Sequence, residues 1–374
     1  MASAAVPRNK LRPTVLNAAH RKLGARMVDF AGWDMPVEYS GIIAEHMAVR
    51  TQAGLFDVSH MGRFELKGAG GLDLLQSLTP NDVARLAPGQ AHYSALLNER
   101  GGMIDDLVVH KIADDHYLLC VNAARREADY RWIASHNQPG VQLRDASDEL
   151  AQIALQGPRS LAILQPLTAV DLGAIRYYWF TQGRVADATC WIARTGYTGE
   201  DGFELYVPAG DAERIWNTLL ETGKKEGIVP CGLGARNTLR LEAGMLLYGH
   251  DMDEQTTPLE VKLGWICKLD KGAFVGREVL ERQRRDGVQR QLAGFRMLDR
   301  AIARDDAPVF KDGRRVGKVT SGSYAPFLKQ NIGLAFLPRE LAQVGQRISI
   351  EIRGTLAVAE VVPTPFYRRE KKAS

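Results

Sequence analysis

The chain has 374 residues, more than one hydrophobic core ordinarily serves, so two or three domains are expected. Its 48 basic and 44 acidic side chains leave a net charge of only +4, dispersed along the chain, which argues against nucleic-acid or membrane partners and for a small molecule or another protein. No apolar run approaches the ~20 residues of a membrane span, and no signal-peptide core is present. The first acid is Asp29, preceded by Arg8, Lys10, Arg12, Arg21, Lys22 and Arg26, as in an organellar presequence. Helix-like sequence already begins near Thr14 and leaves little to cleave, so the expectation is a cytoplasmic, bacterial location rather than a mitochondrial one. Cys120, Cys190, Cys231 and Cys267 form no C-x-x-C pair and have no histidine at ligand spacing, which predicts structural thiols in a reducing compartment and no metal.

In chain order, the first two-thirds mixes helix and strand periodicities without a βαβ rhythm, which predicts an α+β fold. Helices are predicted over residues 42–52, 71–78, 127–137, 158–165, 211–223 and 233–243. Strands are predicted over 62–66, 92–97, 103–112, 117–121, 152–155, 189–193 and 203–207. The charged run E-R-Q-R-R-D-G-V-Q-R predicts a solvated helix end and a linker over 281–291, after a first region spanning 1–280 in two interleaved α+β domains. From 292 to 368, short alternating runs separated by Gly, Pro and Asp-Gly turns predict a small all-β barrel, with a basic tail at 369–374.

Four segments carry candidate chemistry. The stretch G-Y-T-G-E-D-G-F-E, residues 196–204, reads as a turn entering a strand. Strand alternation puts Phe203, Leu205 and Val207 on one face and Glu204 with Tyr206 on the other, away from the core. Glu204 there is either a solvent-facing acid or a carboxylate for a flat heterocycle with an amidine-like N–H pair. In N-E-R-G-G-M-I-D-D-L, alternation sends Asp105 and Asp106 to opposite faces; a strand-interior carboxylate is costly unless paired or functional, and the pattern does not choose between the two. In G-L-G-A-R-N-T-L-R-L-E, Arg236 and Arg240 fall on one helix face with Glu242 nearby, as on an ion-paired surface; the dinucleotide fingerprint lacks its third glycine. F-D-V-S-H-M-G offers Asp57, Ser59 and His60, but a hydrolytic triad draws its members from separate segments and no G-x-S-x-G occurs, so a triad is rejected. The remaining histidines read as surface or satisfied core residues.

Taken in order with A-R-M-V-D-F-A-G-W-D-M-P-V, A-L-Q-G-P, V-T-S-G-S-Y-A-P and P-T-P-F-Y, these segments resemble the T-protein family of the glycine cleavage system from about Thr14 to Tyr367. The resemblance implies a three-domain, ring-like, tetrahydrofolate-dependent aminomethyltransferase. Its partner would be the lipoyl-bearing H-protein: the one-carbon unit leaves the S-aminomethyl arm for tetrahydrofolate, giving 5,10-methylene-tetrahydrofolate, ammonia and reduced lipoyl. Matched residue by residue, Asp106 looks like the catalytic carboxylate. Glu204, Arg236 and Tyr367 look like folate ligands, with Tyr93, Asn122, Tyr197 and Met61 lining the cavity.

Rival readings use the same folate module. A sarcosine- or dimethylglycine-dehydrogenase type needs a flavin domain for which the chain has no room. A non-transferase folate-binding protein of iron-sulfur maintenance is marked by K-G-C-Y-x-G-Q-E, where this chain has Ala273 in place of the cysteine. A folate-dependent demethylase remains the alternative, since fold does not fix the one-carbon donor; Ser323, Tyr324, Phe327 and Leu328 depart from the family's commoner wording on the donor side.

Overall fold

In the computed structural model, which describes residues 11–370, the chain forms two compact units. The first holds residues 11–71, 86–92 and 108–237; the second holds 72–85, 93–107 and 238 onward. The chain passes from one to the other at the start of helix Gly71–Leu78, after Arg85, and within strands Gln90–Leu97 and Met103–Ala113 and helix Leu233–Glu242. Arg8, Lys10 and residues 371–374 of the expected basic tail lie outside the described residues.

The first unit is built on a six-stranded sheet in the order Phe180–Val185, Ala188–Ala193, Gly202–Pro208, Leu150–Gln156, Ala53–Asp57, Ile228–Pro230. Only the last pair is parallel. Phe203, Leu205 and Val207 alternate onto one face, where they join helix Ala212–Thr222. That helix buries Ala212, Ile215, Trp216 and Leu219, the spacing of a single helical stripe. The other face is covered as well: Tyr206 and Ala193 join Ala91, Leu118 and Phe180 in a second apolar cluster. The expectation that Glu204 and Tyr206 point away from a core is therefore corrected, because both faces of this strand are packed. Strands Met103–Ala113, His116–Val121 and Gly62–Lys67 lie side by side in a further sheet.

Every predicted strand coincides with an observed one, with ends shifted by two residues or fewer. Residues 158–165 are helical only over Ser160–Leu164, since Pro166 lacks the N–H that the next turn needs and the chain tightens to a 3-10 turn, Gln165–Leu167. The charged run from 281 is the second half of helix Arg277–Asp286, anchored by buried Leu280; Gly287 ends it in a left-handed conformation and strand Arg290–Met297 follows. Six strands of the second unit close into a barrel around Phe295, Val309, Val319, Ile348, Ile350 and Val361.

Strand Ala53–Asp57 is buried along its whole length, and Gly54 is required there: a Cβ would sit 2.4 Å from Val49 Cγ2 and 2.6 Å from Cys231 Sγ. At its end Asp57 accepts the Thr14 hydroxyl at 2.6 Å and the Ser59 backbone N–H at 2.8 Å, with His20 Nε2 at 2.9 Å. The other His20 nitrogen meets the Tyr39 hydroxyl at 2.9 Å. Burial alone would raise the Asp57 carboxyl, but its partners, His20 foremost, outweigh burial and hold it at about 2. A depressed carboxylate contributes stability above its unfolded-state value and loses it as the pH falls through the folded one. The expected acid limb is therefore about 2 kcal/mol of stability present above pH ~4 and lost towards pH ~2. Denaturant unfolding from pH 7 downward should show it, and Asp57→Asn should flatten it on a less stable background.

Candidate active site

Of the three acids in G-Y-T-G-E-D-G-F-E, two hold the loop itself. Glu200 pairs with Arg50 at 2.9 Å, both buried, and Arg50 also donates to the Thr198 carbonyl at 2.8 Å. Asp201 takes a two-point contact from Arg194, at 2.9 and 2.6 Å. Gln156 ties the inner edge: its amide N–H donates to the Thr195 carbonyl at 3.1 Å, and its oxygen accepts the Thr198 hydroxyl at 2.9 Å. Gly196 lies so close that a Cβ would stand 1.9 Å from Gln156 Oε1.

Glu204 is different. In register with Ala154 on one neighbouring strand and Ala193 on the other, it is flanked by methyl groups that do not reach its carboxylate. Gln152 Nε2 donates to Oε1 at 3.0 Å and the Thr195 hydroxyl to Oε2 at 2.6 Å, with no cationic partner among the described residues. A carboxylate has roughly four acceptor positions, so two partners leave capacity on both oxygens. In the same unit the Arg236 guanidinium lies 4.6 Å from the centroid of the Tyr197 ring, which brings those two predicted residues together. Met61 closes a turn onto the Val58 carbonyl, and its own carbonyl accepts from the buried Arg63 guanidinium. Asn122 follows strand His116–Val121 and accepts the Arg125 backbone N–H at 3.0 Å.

In the second unit, Asp106 is half-buried whereas Asp105 is fully enclosed, so alternation separates the pair as the pattern required. The Tyr93 hydroxyl donates to Asp106 Oδ2 at 3.0 Å. Tyr93 stacks on Trp265 at 5.9 Å, and its carbonyl accepts from Asn81 at 2.9 Å. Tyr367 donates its backbone N–H to the Glu242 carbonyl at 2.7 Å and meets the edge of Phe327, one of the positions where the family wording changes.

One reading is revised. Arg240 is not on an ion-paired helix surface: it is 2% exposed, held by Asp251 at 2.6 Å and Ser321 at 2.8 Å. The rejection of a triad is matched by the geometry, since Asp57 serves His20 and the Ser59 hydroxyl donates to the Gln152 carbonyl at 3.3 Å. The Nδ1 of His60 is buried without a hydrogen-bond partner among the described residues, and burial, then the charge of Arg236, lowers its pKa to about 3. The sequence reasoning also passed over Thr195, Gln152 and Trp265. For Gln152 a signal existed, an amide inside the otherwise apolar run A-Q-I-A-L.

All four cysteines are free and buried. Burial pushes the thiols of Cys190 and Cys267 up to about 12 and that of Cys120 to about 11.

The chain matches the GCVT N-terminal domain family over residues 16–271 and the glycine cleavage T-protein C-terminal barrel domain over 290–368. It is 56% identical to an aminomethyltransferase of Acidobacterium capsulatum over 97% of both chains. The chain belongs to the glycine cleavage T-protein family. An aminomethyltransferase of Desulfitobacterium hafniense (strain Y51) is 48% identical, over 96% of this chain and 99% of that one. The crystal structure of glycine cleavage system aminomethyltransferase T from Bartonella henselae superposes with a TM-score of 0.91 at 33% identity, covering 96% of this chain and all of that one. Membership of this family makes the chain an aminomethyltransferase and does not favour the demethylase or iron-sulfur alternatives. At the iron-sulfur mark, Ala273 stands between buried Phe274 and Lys271, whose ammonium is spent on the carbonyls of Gln76, Thr79 and Asn81 at 2.7, 2.5 and 2.8 Å.

The loop clamps carry a prediction. Arg50→Met strands Glu200 in a buried position, and breaking a buried pair in this way typically costs about 3–5 kcal/mol. Chemical denaturation should show a loss of that order, and amide exchange over residues 195–202 should accelerate before global unfolding.

Proposed function

We propose that this aminomethyltransferase uses tetrahydrofolate as acceptor and the lipoyl arm of an H-protein as donor, with Glu204 and Arg236 holding the pterin end and Asp106 serving the reacting nitrogens. The observation that carries the reading is the Glu204 carboxylate, which accepts one hydrogen bond on each oxygen, keeps acceptor capacity on both, has no cationic partner among the described residues, and has alanines in register on both neighbouring strands. Those acceptor positions fit an adjacent pair of N–H groups on a flat ring, as pterins present. Tyr197 stiffens Arg236 from below through its ring face. Tyr367, Asn122 and Met61 complete the proposed folate contacts.

The reaction balances without a group from the protein in covalent linkage. The aminomethyl carbon exchanges its bonds to sulfur and nitrogen for two bonds to folate nitrogens. Of the two protons those nitrogens give up, one leaves with ammonia and one returns to sulfur. Asp106 is a half-buried carboxylate held at one oxygen by the Tyr93 hydroxyl, and it takes the first proton as the attacking nitrogen becomes cationic. The buried thiols take no part.

Single-turnover release of ammonia from aminomethylated carrier at saturating folate tests Asp106. Asp106→Asn keeps the size of the side chain but removes the acceptor and should slow that step by about 10²- to 10⁴-fold, with folate binding only modestly weaker. Asp105→Asn should instead lower stability, and the reverse pattern would reassign the role to Asp105. For Glu204, calorimetry should find tetrahydrofolate bound about tenfold or more weakly by Glu204→Gln, since hydrogen bonds to a charged group are the stronger kind. Unchanged affinity would remove Glu204 from the site.

A further inference from the structure

We propose that Thr195 and Gln152 are positioning residues for pterin recognition: together they aim the Glu204 carboxylate and decide which of its lone pairs a ligand meets. The inference rests on the reading of Glu204 as a folate ligand and adds what makes that side chain a recognition element rather than a mobile surface acid.

Each oxygen of the carboxylate receives one protein donor, Gln152 Nε2 on Oε1 and the Thr195 hydroxyl on Oε2. Both donors are immobile. Thr195 is 4% exposed, and Gln156 grips its carbonyl at 3.1 Å, in the place where Gly196 permits close approach. Gln152 is 2% exposed, and its backbone N–H is taken by the Ser59 hydroxyl at 3.1 Å. An ionised carboxylate only accepts, so the amide has to offer it the NH₂ end, and the opposite end of the amide is satisfied as well. Cys120 Sγ lies 3.4 Å from Gln152 Oε1 and, protonated because burial pushes its thiol up to about 11, donates to it. The NH₂ end is thereby turned towards Glu204 and the Tyr206 hydroxyl. With one donor fixed on each oxygen, the carboxylate plane is set before the ligand arrives, and the remaining acceptor positions form a parallel pair suited to two N–H groups. Such preorganisation acts on affinity by removing the ordering of a flexible side chain from the binding step.

The expected signature is a loss that acts through Glu204. Thr195→Val, which keeps shape and loses the hydroxyl, and Gln152→Met, which keeps length and loses the amide, should each raise the dissociation constant of tetrahydrofolate by about three- to thirtyfold in the full-length protein. The loss should fall on KM for folate more than on kcat. Thr195→Ser should restore affinity to within about twofold of the parent, and in a Glu204→Gln background Thr195→Val should add less than about twofold. Thermal midpoints of all variants show that calorimetry is done on folded protein, and Gln152→Met supplies an independent arm if Thr195→Val does not fold. Weak binding by Glu204→Gln beside normal binding by Thr195→Val and Gln152→Met would overturn this inference alone, as would equal penalties in both backgrounds. Normal binding by Glu204→Gln would overturn the folate-ligand reading and this inference with it.

Discussion

A strand packed on both faces cannot carry a carboxylate unless the structure around it satisfies the charge, and strand Gly202–Pro208 carries Glu204 under that constraint. One face belongs to the cluster around Trp216 and the other to the cluster around Tyr206. The neighbours follow from this. The residues in register are alanines, so the carboxylate has room; the amide of Gln152 and the hydroxyl of Thr195 supply donors; Gln156, Arg50 and Arg194 keep the preceding loop where Thr195 can reach. Gly196 and Gly202 of the motif allow backbone and side chain to close at distances that no Cβ would permit.

The second unit meets the same constraint with different means. Asp251 is fully buried and receives Arg240 and the hydroxyls of Thr320 and Ser321, the last two adjacent at a shift in barrel register between Val319 and Ser321. Glu242, also enclosed, accepts the backbone N–H of Phe327 at 3.1 Å and lends its own carbonyl to Tyr367. Thus the acids of this unit act as anchors for loops and for the chain's terminal segment, while Asp106 lies half-buried against a tyrosine.

What the sequence made legible was periodicity. The step of two along residues 103–112 separated Asp105 from Asp106, and the same step put Glu204 and Tyr206 on one face. Ala53–Asp57 escaped notice because a strand buried on both faces, here A-G-L-F-D, has no alternation to read. Partners distant in sequence were illegible for another reason. Nothing local ties Arg50 to Glu200, His20 to Asp57 or Thr320 to Asp251, so the roles of those charges could not be told from those of solvated ones. Arg240, on a helix whose spacing suggested a surface, is the instance where this changed the conclusion.

The burial of all four cysteines bears on how such a protein shares space with a dithiol. Exchange between a thiol and a disulfide proceeds through the thiolate, and at neutral pH a thiol displaced to 11 or 12 is ionised only to about one part in 10⁴ or 10⁵. Enclosure withholds even that fraction from an incoming sulfur. If the donor is a lipoyl arm, as proposed, it would visit and depart without forming a mixed disulfide, and the redox state of its carrier would not be recorded on the enzyme.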